Sequence, residues 1–271
     1  MMISVLTIVA GRELALTNLI KGLAKSTVLP DELVIVFMNE PVREMPKHTF
    51  PIRCYSLNQS AHLPLAAARN LAAKQVKGDF LIFLDVDCIP SATLIADYQM
   101  HISTETLLSG QVRYLRAGAT SEKEFLSKME DLSAPDPIRA NLETIPYSLF
   151  WSLNFACSKS TYLKIGGFDE GYEGYGAEDT DFAFSAEKQE VALQCVAAKA
   201  YHQYHESFSP PLNHLEDIVG NANRFFQKWR KWPMEGWLNS FAQMGLIEWD
   251  NQIIHLIRKP TKAEIAATLK K

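Results

Sequence analysis

No apolar run in the chain reaches the roughly 20 residues that a membrane-spanning helix needs. The apolar stretch 1–10 is short, has no basic leader and is followed at once by Arg12 and Glu13. It reads as a first core strand, not as a signal peptide or a span, so any membrane contact is expected to be peripheral. A basic surplus is also missing. Lys and Arg total 27 against 31 Asp and Glu, a formal net charge of -4, which argues against nucleic acid as the partner. Cysteine is scarce: Cys54, Cys88, Cys157 and Cys195 are scattered, with no C-x-x-C pair. That pattern reads as reduced, mostly buried thiols of a cytoplasmic protein, and it argues against a zinc site. No G-x-G-x-x-G follows the first apolar run, which disfavours a dinucleotide-dependent enzyme. Internal repeats and low-complexity tracts are absent.

What is present is a large core. Apolar residues make up 47% of 271, enough for one α/β domain with an appended helical piece. The first ninety residues alternate strand and helix. Strands are predicted at Ile3–Val9, 33–38, Ile52–Leu57 and Phe80–Leu84, and helices at 12–25 and 63–76. Such alternation implies a mostly parallel sheet flanked by helices. Helices are expected at 91–101, capped by Ser91, and at 121–132, where Glu124 follows Ser121 by three residues as in a capping box. Strands are expected at 107–115, 148–157 and 192–197, with a loop over 134–146 and a polar, aromatic loop over 202–211. Amphipathic helices at Leu215–Trp229 and 233–244 and a short helix after Thr261, ending in two lysines, form a C-terminal extension. The expected division is 1–210, with halves at 1–90 and 91–210, followed by 211–271.

Three groups of residues carry chemistry. The fully apolar strand Phe80–Leu84 runs straight into Asp85-Val86-Asp87. Ligands of open α/β sheets bind at the carboxyl ends of strands. Residues i and i+2 of an extended segment project to one side, so both acids can face one ligand and hold a divalent cation. The second group, 166–181, packs six acids and five glycines into sixteen residues. Glycines allow close backbone approach, and Phe168, Tyr172 and Tyr175 offer flat faces to sugar rings or serve as loop anchors. A carboxylate in a first helical turn, such as Glu178, Asp179 or Asp181, is held ionised and directed, which suits either a general base or a simple cap. The third group is His202 and His205, either of which could complete a divalent site as a neutral imidazole.

In order, these pieces resemble family 2 and related galactosyltransferase-like glycosyltransferases of the GT-A fold, a Rossmann-like α/β architecture. The resemblance spans about residues 3–205 and rests on Ala68-Arg69-Asn70, on Phe80 through Asp87, on Asn154, on Gly166-Gly167-Phe168-Asp169-Glu170, on Gly174 through Asp181, and on His202. It implies that Asp87 binds a divalent cation, Mn2+ or Mg2+. Asp85 would contact the ribose or sugar and assist the metal. His202 would be a further ligand, with His205 as its substitute. Asp179 would be the general base and Glu178 its neighbour on the acceptor. Arg69 would approach the donor diphosphate, and Thr7 would line the uridine pocket. Asn39-Glu40 stand where such enzymes often carry an Asp for the base. The donor implied is a UDP-sugar carrying a hexose or N-acetylhexosamine. The acceptor would be a glycan, a lipid-linked or a small-molecule hydroxyl. Two other readings stay open: a sugar-phosphate nucleotidyltransferase, and a non-catalytic carbohydrate- or cation-binding module. Phe225, Phe226, Trp229, Trp232, Trp237 and Phe241 are expected to pack on the sheet or at a homodimer contact rather than to form an acceptor site. Arg224, Lys228, Arg230 and Lys231 read as a solvated helix face, with contact to a lipid-linked acceptor or an anionic membrane as the alternative.

Overall fold

The computed structural model describes residues 1–59, 62–102, 105–140, 142 and 144–270, so Lys271 and positions 141 and 143 of the expected loop lie outside the described residues. The chain begins β1 (Ile3–Val9), α1 (Glu13–Ala24), β2 (Glu32–Met38), β3 (Ile52–Leu57), α2 (Leu65–Gln75) and β4 (Phe80–Leu84). These four strands are parallel neighbours in the order β3-β2-β1-β4, as the alternation of strand and helix predicts. β1, β2 and β4 are buried along their whole length, because helices cover both faces of the sheet. Period two decides which side each residue serves. Phe80, Ile82 and Leu84 pack with α1, while Leu81 and Phe83 pack with α2 on the opposite face.

The second half mixes directions. It runs β5 (Cys88–Pro90), α3 (Leu94–Gln99), β6 (Thr106–Leu115), β7 (Ser133–Pro135), β8 (Asn154–Ser158), α4 (Lys159–Ile165), α5 (Glu178–Lys188) and β9 (Ala192–His202). β8 adds antiparallel to β4, β6 lies antiparallel to β8 and parallel to β9, and β5 closes the far edge antiparallel to β9. The result is an α/β fold whose N-terminal half is a parallel sheet, β3-β2-β1-β4. Buried Asn154 fixes the irregular step between β6 and β9. Its Nδ2 donates to Gln111 O at 3.0 Å and Ala198 O at 2.9 Å, and its Oδ1 accepts from Tyr98 Oη at 2.8 Å.

Several local expectations are corrected. The helix over 121–132 is replaced by two 3-10 turns, Ala119–Ser121 and Phe125–Ser127. Glu124 sits in the left-handed region at φ 58°, so the capping box does not form. Phe125, Met129 and Leu132 still reach a common cluster with Ile89, Leu115 and Tyr201, and this packing outweighs the local helix signal. Ser91 caps no helix with its side chain, since α3 starts three residues later behind Thr93. Of the strand expected over 148–157, only the end is extended. A 3-10 turn, Tyr147–Leu149, precedes β8. β9 runs five residues beyond the expected 197, through Lys199 to His202.

The extension comprises β10 (Ser207–Phe208), α6 (Leu215–Trp229), α7 (Glu235–Gln243), β11 (Ile247–Trp249), β12 (Ile254–Leu256), α8 (Lys262–Ala267) and β13 (Leu269–Lys270). α6, α7, β11 and β12 share a core of their own around Leu215, Ile218, Leu238, Phe241 and Ile254. β13 pairs with β10 inside the expected 202–211 loop. Among the described residues, no helix is long and apolar enough to cross a membrane.

Candidate active site

Asp85 and Asp87 follow β4 at the carboxyl edge of the parallel strands. Asp85 N donates to Leu153 O at 3.0 Å, and Cys88 N donates back to Asp85 O at 2.8 Å, so a tight turn passes the chain into β5. β5 then pairs Cys88 with His202 at the end of β9. Gln203 N donates to Asp87 O at 2.7 Å. Strand register therefore brings Asp87 and His202 together across about 115 residues of chain. His202 Nε2 lies 3.4 Å from Asp87 Oδ1, and His205 Nε2 lies 3.6 Å from Asp87 Oδ2. One ligand atom from each of Asp87, His202 and His205 falls within 4.8 Å of the others. One carboxylate and two imidazoles fit a divalent cation, and imidazole favours a transition ion over magnesium. Both expected histidines belong to the cluster. Asp85 lies outside it.

Arg12 Nη1 donates to Asp87 Oδ2 at 2.6 Å. Its side chain is 40% exposed while that of Asp87 is 10% exposed, so Arg12 can leave where another cation takes over the carboxylate's charge. Burial lowers the His205 pKa and favours the neutral imidazole that a metal needs. Tyr114 packs its ring 5.2 Å from His202 and closes the cluster from the β6 side.

Asp85 turns the other way, to Arg69 of α2. Arg69 Nη2 is 3.2 Å from Asp85 Oδ1, and its Nη1 is 3.0 Å from Glu178 Oε1. The guanidinium is buried and lies 5.1 Å from the centre of the Phe168 ring. Burial alone would lower its pKa, but the charges of Asp85 and Glu178 raise it. This one side chain ties the strand-end acid to the first residue of α5. Burial raises the Asp85 pKa against the pull of Arg69.

Glu178, Asp179 and Asp181 form the first turn of α5. Glu178 is buried on Arg69. Asp179 Oδ1 accepts from Thr180 N at 2.7 Å. Burial first, and the Glu178 charge second, push the Asp179 carboxyl up to about 7, with Arg69 opposing and Asp85 reinforcing. Tyr175 is pushed up to about 12 by burial and then by the charges of Asp179, Glu178, Asp85 and Asp87. Asp181 has a different fate. It is buried and accepts from Tyr172 Oη, Trp229 Nε1 and Lys228 Nζ at 3.0, 2.7 and 2.8 Å.

Two expected nucleotide contacts sit at the same edge. Thr7 is buried on the α1 side of β1, and its Oγ1 has no hydrogen-bond partner among the described residues. Asn39 stands at φ 54° after β2, with its amide spent on the next loop. Nδ2 donates to His62 O, and Oδ1 accepts from Gln59 N, both at 3.1 Å. Glu40 is the neighbour with spare capacity. Its Oε2 accepts from Gly11 N and Arg43 at 3.1 Å, while Oε1 is buried and unpartnered among the described residues. Sequence reasoning gave no role to Arg12 or Glu40. The position of Gly11-Arg12 directly after β1 was the available signal for the first. The second had only its place after β2.

Comparisons with known proteins bear on the family and the fold. Chondroitin synthase of Escherichia coli is 21% identical over 169 residues, covering 51% of this chain and 25% of that protein. Hyaluronan synthase of Pasteurella multocida is 23% identical over 168 residues, covering 51% and 17%. The matches thus span a quarter or less of the relatives' own length. The crystal structure of S. aureus TarS 1–349 with UDP-GlcNAc superposes at TM-score 0.56 with 16% identity, over 90% of this chain and 80% of that one. GalNAc-T7 with UDP, GalNAc and Mn2+ superposes at 0.53 with 15% identity, over 89% and 56%. These likenesses show the GT-A fold. The model of the glycosyltransferase like family 2 matches residues 39–232, a stretch that holds Arg69, both strand-end acids, the α5 acids and both histidines, and the chain belongs to that family.

Proposed function

We propose that the chain is an inverting, metal-dependent glycosyltransferase that moves a hexose or N-acetylhexosamine from a UDP-sugar to an acceptor hydroxyl. The observation that carries this reading is the Arg69 bridge, which sets Asp85 and Glu178 on one guanidinium beside Asp179, with Asp87 two residues from Asp85. Acids from two distant parts of the chain thereby meet on one cation, which supports a shared site. Thr7 Oγ1 and Glu40 Oε1, buried without partners at the ends of β1 and β2, suit a nucleotide base or ribose that brings its own donors. That relatives are synthases of chondroitin and hyaluronan, and that a neighbour in fold binds UDP-GlcNAc, supports a nucleotide-sugar donor.

Asp179 takes the proton from the acceptor hydroxyl as that oxygen attacks the anomeric carbon. The bond from sugar to phosphate breaks on the opposite face, and its electrons leave with UDP. One displacement without a covalent intermediate inverts the configuration. Asp87, His202 and His205 would hold a divalent cation, which would supply positive charge for the departing diphosphate. Arg69 holds Glu178 and Asp85 in place, and in this reading Glu178 is the neighbour of the base that grips the acceptor. Residues 1–210 are the transferase unit in this reading, acting in the cytoplasm, with 211–271 as its extension.

The direct test is a panel of nucleotide-sugars with manganese, read as UDP release with and without glycan, lipid-linked and small-molecule acceptors. Manganese-dependent release from at least one UDP-sugar is expected. Silence across the panel, together with no binding of UDP, counts against the reading.

A further inference from the structure

We propose that Asn221, on helix α6 of the C-terminal extension, is a positioning residue that aims the catalytic base; this rests on the role given to Asp179 above. The segment leading into α5 cannot hold its own shape. Gly174, Gly176 and Ala177 stand at φ +68°, +101° and +73°, three left-handed residues within four. A Cβ at Gly174 would run into the Asp217 carboxylate. Left-handed alanine is a conformation that persists only where the surroundings over-determine it. The segment itself lies outside any helix or strand, so its backbone groups must be satisfied from elsewhere.

Most of that support comes from one face of α6. Asp217, Asn221, Arg224 and Lys228 recur at spacings of four, three and four, so they form a single stripe. Asn221 is buried, and both ends of its amide bind the loop. Nδ2 donates to Glu173 O and Gly176 O, each at 2.9 Å, and to Tyr175 O at 3.4 Å, while Oδ1 accepts from Glu173 N at 3.3 Å. Asp217 Oδ2 accepts from Tyr175 N at 3.3 Å. Flanking these, Arg224 reaches Asp169 at 2.8 Å and Lys228 reaches Asp181 at 2.8 Å. The stripe therefore grips the start of the loop, its left-handed middle and the first turn of α5. Asn221 holds the middle, one residue before Ala177-Glu178-Asp179. Among the described residues its hydrogen bonds go to backbone groups of the loop, so its consequence for chemistry runs through the direction in which Asp179 leaves the helix.

The same helix carries its own control. Asn223 also bridges backbone with both ends of its amide, donating to Ile254 O at 3.0 Å and accepting from Ile254 N at 2.8 Å. It binds β12 and does not contact the glycine loop. The test compares Asn221→Ala, Asn221→Ser and Asn223→Ala in the full chain. The readouts are kcat, donor KM, manganese-dependent UDP affinity and thermal midpoint. A displacement of about 1 Å at the reacting centre costs about 100-fold in rate, so Asn221→Ala should lose about that much kcat. Donor KM and UDP affinity should stay within about twofold, because the donor half is untouched. Asn221→Ser, which keeps one donor, should recover part of the loss. Asn223→Ala should lower the thermal midpoint while keeping kcat. The proposal is overturned if Asn221→Ala keeps kcat within about threefold of the parent, or if the two asparagine-to-alanine variants lose kcat alike. A parent chain that transfers no sugar at all defeats the reading of Asp179 itself; an active parent with an active Asn221→Ala variant defeats the positioning role alone.

Discussion

The two halves of the site are held by different forces. In the Asp87, His202 and His205 cluster, backbone register sets Asp87 beside His202 through the pairing of Cys88 with His202, and His205 joins from the loop just beyond β9. The Glu178 and Asp179 side hangs on side chains: Arg69 from α2, and the polar stripe of α6 beneath a left-handed loop. Register is cooperative and stiff, whereas side-chain bonds can be removed one at a time. In the proposed function, the first half would grip the charged diphosphate and the second would be tuned to an acceptor.

Variants can break that comparison. The largest effect is expected at Asp179→Asn. General-base catalysis is worth about 100- to 10,000-fold, so kcat should fall by about 1,000-fold while UDP affinity with manganese persists. Arg69→Met should follow, because it leaves Asp85 and Glu178 without their buried cation. Loss of one partner of a buried ionic cluster costs about 3–5 kcal/mol, which chemical denaturation would register. Asp87→Ala should act on the other half. Manganese-dependent UDP affinity should drop by about 10- to 100-fold, with stability near that of the parent. Equal UDP affinity with and without manganese, in parent and variant alike, would refute the metal role. The smallest effect is a pH limb. Asp179 must be ionised to accept a proton, and its carboxyl is raised to about 7. Activity should therefore decline as pH falls through about 7, and a profile flat from pH 8 to about 5 would detach the base from Asp179.

Legibility in the sequence follows the same division. β1, β2 and β4 were readable because unbroken apolar runs are the mark of strands buried on both faces. The acid pair and the α5 acids were readable as residue types in order. The link between Asp87 and His202 was not. It depends on β5, a three-residue strand of Cys, Ile and Pro with no periodicity to detect, and on a β9 continued by polar Lys199 and His202. Residues 121–132 carry helical spacing of apolar residues, yet the chain reaches the same cluster through two short turns. The basic residues on α6 looked like a solvated or membrane-facing surface. Arg224 and Lys228 are in fact spent on Asp169 and Asp181, since periodicity cannot separate a face turned to water from one turned to a polar loop. The aromatic residues of α6 and α7 do pack as core, with Phe225 and Phe241 fully buried.

The central claim is that the strand-end cluster and the α5 acid address one sugar from two sides. A crystal of the chain grown with manganese and a UDP-sugar tests it most directly. The account predicts the ion on Asp87 and the histidines, the diphosphate against it, and the Asp179 carboxylate across the anomeric carbon from the leaving oxygen. A diphosphate seated away from Asp87, or a sugar with Asp179 on the same side as its phosphate, would contradict it.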